Sequence, residues 1–204
     1  MKSHKVRDLL YRELGAVLPG FKPSKKDEAF VRAIPGGLQK IFVPIIDYNP
    51  GFRFSLVFGI RLDEVEVIYN QFSAAPAGTK SLTTLTQLAY FFPKETKKQI
   101  AVASEEEIVA AVRSLSSVIE GEILPFLGRH QNVKSLDAAM NGEDPRFDKS
   151  DPLFRNMHAL ILAQLARNPN LDELVAKYAE EIRWFPEASK AKFVRLTDAC
   201  QDIR

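Results

Sequence analysis

The stretch Phe52-Arg53-Phe54-Ser55-Leu56-Val57-Phe58-Gly59-Ile60 decides the fold class. Phe52, Phe54, Leu56, Phe58 and Ile60 recur at every second position, so an extended chain turns all five to one face. Arg53, Ser55, Val57 and Gly59 turn to the other. Upstream, Leu38 to Tyr48 reads as another long strand, with Ile41, Val43 and Ile45 on one face, and Ala29 to Ile34 as a shorter one. The connections Pro35-Gly36-Gly37 and Asn49-Pro50-Gly51 are short turns, which join antiparallel neighbours. Pro44 has no N–H to give to a ladder, so an edge position or a bulge is expected there. Thr83 to Phe92, stopped by Pro93, and Gln99 to Ala103 bring the count to about five strands, with Lys94 to Lys98 as an exposed turn.

Helical periodicity surrounds this block. Val6, Leu9, Leu10, Leu14, Val17 and Leu18 mark a helix over Lys2 to Leu18, ended by Pro19-Gly20, and Gly20 to Glu28 follows as a charged loop. Arg61 to Phe72 carries Leu62, Val65, Ile68, Tyr69 and Phe72 at helical spacing; Ser73 to Ser81 reads as a small, polar loop. Ser104 and Glu107 make a capping box that opens the longest helix, with an apolar stripe of Ile108, Val112, Leu115, Ile119, Ile123 and Leu127. Pro125 would clash with the carbonyl of Gly121, so a kink or break is expected between them. Ser135 to Asn141, Pro152 to Arg167, Leu171 to Trp184 and Glu187 to Asp202 read as four more helices, Asn170 serving as an N-cap. Strands gathered between residues 29 and 103, ahead of an all-helical C-terminal half, predict an α+β fold. Its mostly antiparallel sheet packs with that half and with the N-terminal helix. The expected organisation is one domain over residues 1–204, the alternative being a helical subdomain beginning near Ser104 or from about residue 150 to 204.

Composition excludes several classes. The 204 residues are 46% hydrophobic and 26% charged, as a folded globular chain requires. A net charge of +2 lacks the basic excess of a phosphate-backbone binder, so nucleic acid is a disfavoured partner. Cys200 is the sole cysteine, and Met1 to Leu14 has neither the apolar core nor the cleavage site of a signal peptide. No apolar run approaches membrane-spanning length. A cytoplasmic protein without a membrane partner is expected.

Chemical motifs are sparse. No Gly-rich phosphate cradle is present, and Gly36-Gly37 fits a hairpin turn. His4, His130 and His158 are scattered without metal-ligand spacing; His130 and His158 read as structural, and Asp144, Asp148 and Asp151 as a solvated acidic loop. Asp198 and Asp202 flank Cys200 and would raise its pKa, the reverse of nucleophile activation. Glu120 and Glu122 face different directions on their helix. Trp184, Phe185 and Phe193 fit core packing, or else interface anchoring. No catalytic, cofactor-binding or metal-binding residue is assigned, and no cofactor is expected. Arg32, Lys40 and Arg53 are the candidate partner-binding face, placed on neighbouring strands opposite their apolar neighbours.

Phe30-Val31-Arg32 through Phe52 to Ile60, taken with Ile123-Leu124-Pro125-Phe126-Leu127, Val133 to Leu136 and Ala159 to Ala163 before Asn168-Pro169-Asn170, resembles an uncharacterised bacterial family described as a domain of unknown function. Relatives of that type are proposed to neutralise toxins. The resemblance implies a non-catalytic, immunity-like protein binder. The alternative is an enzyme acting on a small molecule in a pocket between sheet and helices, followed by a single-stranded nucleic-acid binder.

Overall fold

The two long alternating segments each break once, and the breaks face each other. Residues Gly37–Phe42 (β3) and Ile45–Tyr48 (β4) flank Pro44, while Gly51–Phe54 (β5) and Val57–Leu62 (β6) flank Ser55. The Ser55 N–H donates to the Pro44 carbonyl at 3.2 Å. Pro44 cannot continue a ladder, so the ribbon turns a corner there and passes from one sheet into another. Lys22–Ser24 (β1) and Ala29–Ile34 (β2) join β3, β6 and Thr84–Gln87 (β7) in a five-stranded antiparallel sheet, order β1-β2-β3-β6-β7. The outer ends of the ribbon, β4 and β5, form a second sheet in which Ile100–Val102 (β8) pairs with β5, order β4-β5-β8. Alternation survives the corner: Phe52, Phe54, Leu56, Phe58 and Ile60 are all buried.

This computed structural model describes residues 2–73, 82–91, 99–142, 144–147 and 151–202. The polar loop expected from Ser73 to Ser81 therefore lies outside them except for Ser73, as do Phe92, Pro93, the Lys94 to Lys98 turn and Asp148. The chain forms two compact units, residues 1–59 with 85–129 and residues 60–84 with 130–204. The division cuts through β6 and β7 and follows neither Ser104 nor Ser150.

In the first unit, Ser3–Val17 (α1) buries Val6, Leu9, Leu10 and Leu14, and its Tyr11 stacks on Phe30 of β2 with ring centroids 4.9 Å apart. Lys22 to Ser24, read as loop, pairs with β2 because Ser24 and Asp27 close a tight side-chain turn. Gly36 at φ +70° makes the β2–β3 turn. The Ser104 hydroxyl caps Glu105–Val118 (α3) by accepting from Glu107 N, and the Glu107 carboxylate reaches back to Ala103 N. The expected break before Pro125 is a π-turn at Ile119–Ile123, closed by Leu124 N–H on Ile119 O, followed by Leu124–Arg129 (α4). The wider turn removes the proline clash and keeps Ile119, Ile123 and Leu127 buried. Thr83 to Phe92 is strand only through Gln87; a 3-10 turn at Leu88–Phe91 then sets Phe91 edge-on to both Phe58 and Phe126.

The second unit is built around Pro152–Ala166 (α6), in which every residue from Arg155 to Ala163 is buried. Asp63–Phe72 (α2), Val133–Asn141 (α5), Leu171–Glu181 (α7) and Glu187–Asp202 (α8) surround it. The Asp151 carboxylate caps α6 at Phe154 N, and Asn132 caps α5 at Ser135 N. Asn170 occupies the cap position of α7 but makes no capping bond; instead the Asn168 amide oxygen accepts from Asn170 N at 3.0 Å.

Gly51 lies against the backbone of β8: a Cβ there would lie 2.5 Å from Val102 O. Gly51→Ala is expected to destabilise the chain by about 1–3 kcal/mol, the range for forced overpacking, measured by urea denaturation.

Candidate functional site

The three cations Arg32, Lys40 and Arg53 do not form one face. Arg32 lies opposite Gln39, and Lys40 opposite Val31, so register puts their side chains on opposite faces of the five-stranded sheet. Arg53 belongs to the other sheet. The first two are also engaged. The Lys40 ammonium, on a buried side chain, lies 2.8 Å from Asp27 Oδ1. Arg32 donates from Nε and Nη2 to Gln39 Oε1 and stacks 4.4 Å over Phe21; Gln39 Nε2 in turn donates to Leu127 O at 2.6 Å. These cations fasten α4 and the β1–β2 turn to the sheet.

Arg53 differs. Its guanidinium stands 4.0 Å over the Tyr48 ring and, among the described residues, forms no ion pair. The register Ile46↔Arg53↔Ala101, with Tyr48↔Gly51 one step outward, puts Ile46, Tyr48, Arg53 and Ala101 on one face of the small sheet. Phe52, Phe54 and Val102 occupy the buried opposite face. Ile46 is 45% exposed and Tyr48 54%. The geometry is an apolar and aromatic surface with a stacked, unpaired cation at its centre. Tyrosine supplies large contact area at small entropic cost, and tyrosine and arginine are both enriched at protein interfaces. Ile46 and Tyr48 were legible as apolar residues of the wrong parity, out of phase with Ile41, Val43 and Ile45.

Trp184 is not core, as packing alone would have it. It is 82% exposed on the turn after α7 with Arg183 stacked 4.5 Å away, whereas Phe193 is buried. Arg183 already pairs with Glu180.

Most buried polar groups of the second unit find partners inside it; among the described residues Asn70 Oδ1, Ser73 Oγ and Arg155 Nε do not. His158 Nδ1 is 2.8 Å from Phe154 O, a pure acceptor, so that nitrogen carries hydrogen. His158 Nε2 is 3.0 Å from Glu66 Oε1, and one proton is shared between them. Thr83 Oγ1 accepts from Leu62 N and therefore donates to Glu66 Oε1 at 2.9 Å. Tyr69 stacks on the imidazole at 4.0 Å. Glu66 escaped notice although it falls inside the Leu62, Val65, Tyr69 stripe of α2, where a carboxylate needs a buried partner. A second network links Tyr178 OH to Asn141 Oδ1 at 2.6 Å, with Asn141 and Asn168 both donating to Asp137. Burial pushes the Tyr178 phenol up, and nearby Arg155 opposes that.

His130 is buried past the end of α4, facing Ser135 O and the Phe147 ring. Asp144 is held below the usual carboxylate range by its Arg146 hydrogen bonds. Among the described residues, no group of three or more His, Cys, Asp or Glu gathers as metal ligands, and no helix is long and apolar enough to cross a membrane. Several clefts among the described residues lie within single units, including one of about 560 Å³ at Lys2, His4 and Glu105. Another of about 780 Å³ lies beside the α6–α7 turn at Asn168 and Asp172; one of about 450 Å³ lies between α1 and β1 at Arg7, Tyr11 and Glu28.

The fold and this surface define an α+β protein with an exposed aromatic–guanidinium face on a small antiparallel sheet. The chain matches no protein-family model, no curated protein and no solved structure.

Glu66→Ala leaves His158 and Thr83 without their buried acceptor and is expected to cost about 3–5 kcal/mol, as when one partner of a buried pair is removed, read from urea denaturation midpoints. Cys200 behaves differently under pH. Burial pushes its thiol from 9.0 up to about 11. The folded state retains its proton while the unfolded chain ionises, so stability falls as pH rises from 9.0 toward about 11. Denaturation at stepped pH should show this fall in the wild type and a smaller one in Cys200→Ala.

Proposed function

We propose that this chain is a non-catalytic protein-binding module and that it binds through the outer face of the β4-β5-β8 sheet. The supporting observation is the Arg53 guanidinium stacked on exposed Tyr48 beside exposed Ile46, with no ion pair among the described residues. An arginine held flat on an aromatic ring is preorganised, so a partner's carboxylate meets it at small entropic cost. The partner chemistry is therefore apolar contact for Ile46 and Tyr48 beside an acidic side chain for Arg53. In its sharpest form the partner is a toxin that this chain neutralises in the bacterial cytoplasm. The resemblance read in the strand block and helical tail, to a family of unknown function whose relatives are proposed to neutralise toxins, motivates that form.

Tyr48→Ala and Arg53→Ala are each expected to weaken the complex by about 2 kcal/mol, roughly 30-fold, as truncated interface anchors do. Thermal midpoints should be unchanged. The measurement is quantitative pull-down from lysate of the source cell with the wild type and the double variant. A stoichiometric partner lost by the folded double variant is the expected result. The absence of any such partner, or equal capture by the double variant, overturns the reading.

A further inference from the structure

We infer that the partner is received as an added β-strand: an extended peptide segment with an acidic side chain pairs with the open edge of β4. The inference rests on the protein-binding reading and specifies how that binding occurs. In the order β4-β5-β8, β4 has β5 on one side and no strand on the other among the described residues. Ile46, Asp47 and Tyr48 are exposed, and Ile45 is half-buried. Every second residue of such a strand is not hydrogen-bonded to its neighbour and turns its N–H and C=O to the open side.

The two sheets treat their edges differently. Edge strand β1 is Lys22-Pro23-Ser24, in which the lysine charge and the missing proline N–H deter pairing. Edge strand β4 is Ile45-Ile46-Asp47-Tyr48, with no proline and with its one charge, Asp47, on the face away from Ile46 and Tyr48. An accessible edge with exposed Ile and Tyr favours strand addition, where backbone bonds give affinity and alternate side chains give selectivity.

Charge complementarity selects the occupant. Arg53 lies on β5, one strand in, yet its guanidinium stands over the ring of Tyr48, which belongs to β4. The cation thus leans toward the edge that a new strand would join. A carboxylate on the outer face of that strand comes within reach, next to an apolar side chain alongside Ile46. Asp47 faces the other way, paired with Phe52, and does not compete on the outer face.

The test uses the full chain and a phage-displayed random decapeptide library. Enriched peptides, made synthetically, should alternate apolar residues with an Asp or Glu on the same face. Changing that acid to Lys should weaken binding at least about ten-fold, and Arg53→Gln should remove the difference. N-methylation of alternate peptide amides should abolish binding in one phase and spare it in the other, while alternate β4 amides gain protection from hydrogen exchange. Peptides that need Tyr48 and Arg53 but tolerate N-methylation in both phases overturn strand addition and leave outer-face binding standing. No enrichment over the folded Tyr48→Ala/Arg53→Ala variant overturns the inference. So does concentration-dependent dimerisation of the free chain that protects β4 amides, since the edge then belongs to a second copy.

Discussion

The hydrogen bond from Ser55 N–H to the Pro44 carbonyl marks the place on which the first unit depends. Without the corner, Gly37 to Tyr48 and Gly51 to Leu62 would run on as one straight hairpin in a single sheet. Proline removes the donor that a continuous ladder would use, and the ribbon bends where that donor is missing. Its inner half, β3 and β6, then joins a sheet closed by Phe30, Ile41, Phe58 and Phe126. Its outer half swings into a second sheet whose far face is left to solvent. Tyr48 and Ile46 are exposed on that face with Arg53 half-buried beside them, and the binding surface proposed above follows from it.

Several buried polar groups are given side-chain partners where the main chain alone could not supply them. Lys40 keeps its charge out of water because Asp27 is 2.8 Å away. Gln39, wholly buried, is held between Arg32 and Leu127 O. In the second unit, Glu66, His158 and Thr83 form a continuous chain of donors and acceptors linking α2, α6 and the residues before β7. Such clusters add little net stability over apolar packing, yet they penalise any arrangement of the helices that would leave one member unpaired. Arg53 stands apart from this pattern, a cation with a ring beneath it and, among the described residues, no carboxylate paired with it.

Helices were read closely because a 3.6-residue repeat is written in consecutive residues. The stripe of α3, the capping box at Ser104 and the break ahead of Pro125 all depend on neighbours within one or two turns. Strand positions are less legible. The sequence shows that residues 52 to 60 alternate, and they do, but alternation is silent about which sheet a strand joins. Lys22 to Ser24 carries no apolar pattern and forms a strand only because β2 lies beside it. Arg32 and Lys40 were grouped with Arg53 by assuming a register; a one-residue difference in pairing sends a side chain to the opposite face.

Local spacing by itself determined the α+β class, the antiparallel hairpins, the helix caps and the burial of the phenylalanine-rich face, since each follows from periodicity and from residues close in the chain. Only the tertiary structure decided that the ribbon divides between two sheets, that Glu66 meets His158 across 92 residues of chain, and that Arg53 alone among three cations stands unpaired on an exposed ring. Those outcomes depend on which distant segments pack together, and packing partners leave no periodic trace in the sequence that they join.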